Sequence, residues 1–220
     1  MFRDRTDAGK QLLKKIPTLD AADTVILALP RGGVPVAEVV ANSLGAPLDI
    51  VLVRKVGLPG HRELALAAVT DGAEPVLTVN EDVARSAGLD IDQIWQLAGP
   101  ELDEIARRCE TYRGGRTAVP IEGKTVVVVD DGIATGATMR ASLKYVRAQG
   151  PAKVILAVPV SPPDTLAQLS ALVDDVICLQ APRLFFAVGA HYRDFDQVSD
   201  TTVARVLERL STNPMKGSDD

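Results

Sequence analysis

Aromatic side chains are scarce in this chain: one Trp, three Tyr and four Phe among 220 residues. Core formation is therefore left to Val, Ile, Leu and Ala, and any local cluster of rings stands out. Cysteine is scarcer still. Cys109 and Cys178 lie far apart and form no CxxC pair, which excludes a disulfide framework and a thiolate metal site. Buried free thiols in a reducing compartment are expected. An excess of positive charge is also missing. The net charge is −5 and the pI near 5.1, which argues against a basic nucleic-acid-binding face. A small anion needs only backbone amides and a few cations, so it is not excluded. No apolar run approaches the ~18 residues of a membrane span. The opening MFRDRTDAGKQLLKKIP is too charged for a signal peptide. A cytoplasmic protein is expected, with neither nucleic acid nor membrane as partner.

What is present is a series of short, β-branched apolar runs: Thr24–Leu29, Leu48–Val53, Thr125–Asp130, Lys153–Val160 and Val173–Leu179. Continuous apolar strands point to a sheet covered on both faces, hence parallel. Helical patterns separate them. Val34–Gly45 ends on a capping glycine, Thr135–Gly150 does the same, and Ser161–Leu172 opens with prolines. The alternation reads as one α/β domain over residues 1–220, with a doubly wound, mostly parallel five-stranded sheet flanked by helices.

Two segments interrupt it. Arg54–Glu63, rich in Gly, Pro and charge, reads as a loop. It leads into a hairpin formed by LALAAV and PVLTV about the turn TDGAE. Residues 80–115 read as a helical insertion packing on the core or on another subunit. Leu97, Leu102, Ile105 and Ala106 are its expected inward positions, and Pro100 is an expected break or kink. Residues 212–220 are expected to fray.

The stretch VVVVDDGIATGAT carries the chemistry. Asp130 and Asp131 end an apolar strand, and ligands of parallel sheets bind beyond that end. Gly132, Ile133, Ala134, Thr135, Gly136, Ala137 and Thr138 then form a small-residue turn opening a helix. Its free N–H groups suit a phosphate, the glycines admit close approach, and the threonines add hydroxyls. Two carboxylates would repel that phosphate, so they make sense facing hydroxyls or a cation, such as a ribose diol with Mg²⁺. The plain alternative is a strand end with solvated aspartates and a capped helix. A P-loop is excluded because Ala137 follows Gly136, and GxGxxG is absent.

This stretch resembles the phosphoribosyl-pyrophosphate (PRPP) signature of type I phosphoribosyltransferases. The resemblance implies that Asp130 and Asp131 hold the ribose 2′ and 3′ hydroxyls, and Mg²⁺ through water. The backbone from Ile133 to Thr138, with the Thr135 and Thr138 hydroxyls, would hold the 5′-phosphate. LPRGGVPVA (Leu29–Ala37) resembles the family's pyrophosphate loop. There Arg31 beside Gly32 and Gly33 is an anion site on its own chemistry, a cation next to bare backbone; a glycine turn with a surface arginine is the alternative. VRKVGLPGHRELALAAV (Val53–Val69) occupies the place of the family's catalytic lid. Arg54 and Lys55 would reach the pyrophosphate as Gly57, Pro59 and Gly60 let the lid close.

APRLFFAVGAHYRDF resembles the C-terminal hood of purine-type members, here residues 180–198. Phe186 would stack on the base, framed by Val188 and Gly189. Asp194 falls five residues after Gly189, one more than in the 6-oxopurine enzymes. Phe185, Phe186, Tyr192 and Phe195 crowd this one loop, either as a binding surface or as the hood's own small core. His191 is expected to bond locally, and Glu63 is either an acid or base in the lid or, the plainer reading, a solvated glutamate. Ala134 stands where 6-oxopurine enzymes carry an Asp and adenine enzymes an Ala. The resemblance therefore implies PRPP, pyrophosphate and a nucleobase-like acceptor as ligands, and a homodimer. A regulator that binds PRPP or a nucleotide without turnover is the alternative.

Overall fold

The computed structural model describes residues 1–71 and 75–211, and of residues 62, 63 and 211 the backbone only. The chain opens with α1 (Arg5–Leu13), capped by the Asp4 side chain, where the sequence pattern predicts no element. Then follow β1 (Thr24–Ala28), α2 (Gly33–Leu44) and β2 (Leu48–Ile50). A second group comprises β3 (Val53–Leu58), β4 (His61–Thr70), β5 (Leu77–Val79), α3 (Glu81–Ala87) and α4 (Ile91–Arg113). The chain returns with β6 (Thr125–Val129), α5 (Ala137–Ala148), β7 (Lys153–Val160), α6 (Pro163–Ser170), β8 (Asp175–Gln180) and α7 (Asp200–Ser211).

Five strands form one sheet in the order β2-β1-β6-β7-β8, and every pair in it is parallel. The two-residue period of the strands sorts their side chains. Ile26, Ala28, Val127, Val129, Ile155 and Ala157 face a core shared with Val36, Ala37 and Val40 of α2. Val25, Leu27, Val126, Val128, Leu156 and Val158 face the other, with Met139, Leu143 and Val146 of α5 and Leu169 of α6. Both faces are buried, which is why these strands read as unbroken apolar runs.

The second sheet is antiparallel, in the order β3-β4-β5. The run Arg54–Glu63 is therefore not a loop: it supplies most of β3, the Pro59-Gly60 turn and the start of β4. Gly57 and Gly60 mislead a composition-based reading. Gly60 sits at the turn with φ +81°, and the register shifts on either side of Gly57. The expected hairpin is present, with Ala67 opposite Val79 and Val69 opposite Leu77; residues 72–74 of its turn lie outside the described residues, as do residues 212–220.

The insertion is two helices, each with a side-chain N-cap: Asn80 for α3, and an Asp90/Gln93 capping box for α4. The expected break at Pro100 does not occur. Proline deletes one N–H but stands on the exposed face, while Ile94, Ala98, Ile105 and Tyr112 are buried on both sides of it. That packing outweighs one lost hydrogen bond. Ala106, expected inward, is exposed, and Leu97 and Leu102 are half-buried. Among the described residues no helix is long and apolar enough to cross a membrane. Cys109 and Cys178 are free but only half-buried. Burial still pushes the Cys109 thiol up to about 11.

The hood is not purely C-terminal. Phe2 forms a parallel bridge with Tyr192. The Phe2 amide donates to His191 O at 2.8 Å, and the Asp194 amide donates to Arg3 O at 2.9 Å. Phe2, Tyr192, Phe185 and Phe195 pack together with Val160 and Ala8. Three of the four hood rings thus form a small core.

Candidate active site at the carboxyl edge of the sheet

The central neighbours β1 and β6 run in register, Ala28 beside Val129, and the Leu29 amide donates to Val129 O at 2.9 Å. The loops that leave them therefore emerge side by side. One is Pro30-Arg31-Gly32-Gly33, whose Pro30–Arg31 peptide bond is cis; the other begins at Asp130. Here glycine is required for space. A Cβ on Gly32 would fall inside the Asp131 carboxylate, and one on Gly33 would lie 2.8 Å from Val129 O and 2.9 Å from the Asp130 Cα.

The turn after the acidic pair is pinned from below. Gly132 is wedged between Val188 and Val160. The Ile133 amide donates to Val160 O at 2.9 Å, and the Ile133 side chain is buried. Thr165 Oγ1 donates to Ala134 O at 2.9 Å. Gly136, at φ +75°, then starts α5 with no side-chain cap. Above this floor Ala134, Thr135, Ala137 and Thr138 are exposed. The result is a rigid, open helix N-terminus with first-turn amides and two hydroxyls, suited to a phosphate.

At its base Asp131 is buried and Asp130 half-buried. Asp130 Oδ1 accepts from the Asp131 amide at 2.8 Å. Burial, and next the charge of Asp131, hold the Asp130 carboxyl well above the usual carboxylate range. Burial also raises Asp131, against the opposing pull of Arg5. Arg5 is the residue that sequence reasoning missed. Its Nε donates to Asp131 Oδ2 at 2.8 Å, its Nη1 donates to Asp196 O at 2.7 Å, and its guanidinium lies 3.9 Å from the centre of the Phe195 ring. Tyr192 Oη donates to Asp131 O at 2.6 Å. Arg5, Arg31, Gly32, Asp130, Asp131 and Phe195 line a cavity of about 480 Å³.

The other expected residues divide. Arg31 lines this cavity, with Nη1 3.6 Å from Asp200 Oδ1. Neither Arg54 nor Lys55 lines it. Adjacent strand residues point to opposite faces, and Arg54 Nε pairs with Glu101 Oε2 on α4 at 2.7 Å. Lys55 instead lines a cavity of about 300 Å³ beside Ala137, Thr138, Arg140 and Lys144, next to the helix terminus. Val188 and Gly189 brace the site from below, Val188 against Gly132 and Gly189 against Phe195. Phe186 is 89% exposed; the ring that walls the acidic cavity is Phe195. Asp194 pairs with Arg193 at 3.4 Å, and the His191 ring stacks on Phe185 with centroids 5.4 Å apart. The Glu63 side chain lies outside the described residues.

The profile of the phosphoribosyl transferase domain matches residues 4–194. The chain belongs to that family. Two Mycobacterium tuberculosis proteins, provisionally named as phosphoribosyl transferases, are each 47% identical to it over 209 residues, or 95% of the chain. The chain spans about half the length of these curated relatives, 47% of each. A crystal structure from Thermus thermophilus is 44% identical and superposes with a TM-score of 0.83 over 95% of this chain and 98% of that one. An Aquifex aeolicus protein shares the fold at 12% identity, with a TM-score of 0.50 over 80% of this chain and 74% of its own.

Proposed function

We propose that this phosphoribosyltransferase-family chain moves the 5-phosphoribosyl group of PRPP, with Mg²⁺, onto a nitrogen of a nucleobase-like acceptor and releases pyrophosphate. The observation that carries the reading is the adjacency of three parts at one sheet edge: the acidic pair, the uncapped helix terminus after it, and the Arg31-Gly32 turn packed against Asp131.

In this reading the α5 terminus with Thr135 and Thr138 binds the 5′-phosphate. Asp130 and Asp131 meet the sugar diol, and Arg31 with Gly32 and Gly33 holds the pyrophosphate. The bond from C1′ to the pyrophosphate oxygen breaks, its electron pair leaving with pyrophosphate. The acceptor nitrogen forms the new bond to C1′, and its proton passes to solvent or to the pyrophosphate. The protein positions the groups and stabilises the leaving charge, and a closed lid excludes water. Mg²⁺ fits the donor set, two hard carboxylates beside a substrate rich in oxygens. Asp130 and Asp131 would hold it, Asp131 with one oxygen already directed to Arg5. When bound, the metal neutralises charge on the leaving pyrophosphate. Lys55, on the lid face next to α5, approaches from the phosphate side, and Arg54 joins only after it leaves Glu101. Phe186, exposed and unencumbered by the hood core, supplies the stacking face for the acceptor beside Val188 and Gly189. The same reading takes the protein as a cytoplasmic homodimer.

The test is pyrophosphate release from PRPP across a panel of purines, pyrimidines and other amines, with and without Mg²⁺. The double variant Asp130→Ala/Asp131→Ala serves as control. Release with one acceptor class, abolished in the control and by EDTA, is the expected result. PRPP binding without release for any acceptor would favour a regulator instead.

A further inference from the structure

Arg5 belongs to none of the motifs that carry the reading above, yet it reaches the centre of the site. It sits in the first turn of α1. The backbone of Phe2 and Arg3 is stitched to residues 191–194 of the hood, and this places the Arg5 side chain between the hood and the acidic pair. Three contacts hold it there: Asp131 Oδ2 at 2.8 Å, Asp196 O at 2.7 Å and the Phe195 ring at 3.9 Å. Both partners of the ion pair are 12% exposed. A charge-assisted bond at such burial fixes geometry in a way that a solvated pair does not. The Asp131 carboxylate is confined further by Gly32 on one side, and the Tyr192 hydroxyl donates to the Asp131 backbone carbonyl.

We propose that Arg5 is a positioning residue for the sugar clamp: it sets the orientation of the Asp131 carboxylate and ties it to the hood, so that diol site and acceptor site form one rigid unit. The inference rests on the PRPP reading. It gives the N-terminal segment a role in substrate binding, because Phe2, Arg3 and Arg5 together lock residues 191–196 against the end of β6.

The experiment is calorimetric titration of PRPP with Mg²⁺, and separately of inorganic pyrophosphate without Mg²⁺, into the full chain, Arg5→Ala and Arg5→Lys, with a melting curve for each protein. Arg5→Ala is expected to weaken PRPP binding ~10–100-fold, the usual effect of removing an outer partner of a ligating group. Pyrophosphate, held by the Arg31–Gly33 loop without the diol clamp, is expected to keep its affinity within about threefold. Arg5→Lys keeps the charge on Asp131 but not the fork to Asp196, and should recover part of the loss. Unchanged PRPP binding in a folded Arg5→Ala overturns the proposal. Tighter binding also overturns it, by making Arg5 a plug that the sugar displaces. Equal loss of PRPP and pyrophosphate would make it a direct ligand or a prop of the fold. If Arg5→Ala does not fold, Arg5→Lys alone decides, by whether PRPP weakens while pyrophosphate does not. A folded wild-type chain that binds pyrophosphate but no PRPP would instead sink the functional reading itself.

Discussion

Arg54 and Glu101 form an ion pair, Nε to Oε2 at 2.7 Å, that fastens the first strand of the lid hairpin to the middle of α4. Both side chains are about one-third exposed (33% and 28%), so the latch is weak, on the order of 0.5–1 kcal/mol. If Arg54 serves the pyrophosphate, it must first let go. Glu101→Gln is expected to raise kcat/KM for PRPP about two- to fivefold, the rate equivalent of that energy. Steady-state kinetics measure it, and a decrease would place Glu101 among the groups that support the closed lid.

The acidic pair is a cost to the unliganded fold. Burial and mutual repulsion raise the Asp130 carboxyl above its unfolded value. The stabilisation that comes with a raised value is complete below the unfolded pKa of about 3.8 and is lost as pH rises through the folded one, so at neutral pH the ionised pair is a burden. Asp130→Asn keeps the Oδ1 acceptor for the Asp131 amide and removes the charge. It is expected to raise unliganded stability at pH 7 by about 1–2 kcal/mol while abolishing PRPP binding. The gain should shrink as pH falls. Thermal melts at pH 7 and pH 4 check both signs.

Arg113, the last residue of α4, joins the insertion to the sheet. It reaches Asp49 at 3.0 Å, Asp71 at 2.9 Å and Ile50 O at 2.9 Å. Asp49 and Asp71 are buried. Burial raises the Asp71 carboxyl, and the Arg113 charge is the leading opposing influence. Arg113→Met leaves two buried carboxylates without their cation, and is expected to destabilise the fold by about 3–5 kcal/mol at pH 7. The deficit should narrow toward acid pH as Asp71 takes up a proton. Urea unfolding at two pH values measures it, and a pH-independent loss would point to packing alone.

Gly32→Ala tests the crowding at the site. The new methyl would overlap the Asp131 carboxylate, which Arg5 holds in place. The expected outcome is a folded protein with PRPP affinity reduced about 100-fold or more. Direct titration checks it, and wild-type affinity would mean that the loop shifts freely.

Some of this is legible in the sequence and some is not. The run Val126–Thr138 announces its role because each need is met by neighbours: apolar strand, carboxylates, small turn residues, helix start. The parallel sheet is legible for the same reason, since burial on both faces writes an unbroken apolar run. The lid misleads where Gly57 and Gly60 suggest a loop, although one glycine marks a register shift and the other a tight turn within a hairpin. Pro100 does not break its helix because the helix is held by tertiary burial on either side. Helix α7 carries Val203, Val206, Leu207 and Leu210 at helical spacing, a signal that the sequence offers in full. Helix α1 shows only a weak apolar pattern.

Composition, periodicity and motif thus determine the sheet, its family and the small-residue turn that opens α5, because those depend on residues adjacent along the chain. Which charges meet is another matter. Asp131 and Arg5 are 126 positions apart, Arg54 and Glu101 are 47 apart, and Arg113 finds two aspartates on separate segments of the chain. No local rule pairs them. Their meeting depends on the hood docking against the N-terminal segment and on α4 lying across the β3–β4 hairpin, and burial then fixes the geometry of the Arg5 and Arg113 pairs. Arg5, unremarkable in the sequence, occupies the centre of the site for that reason.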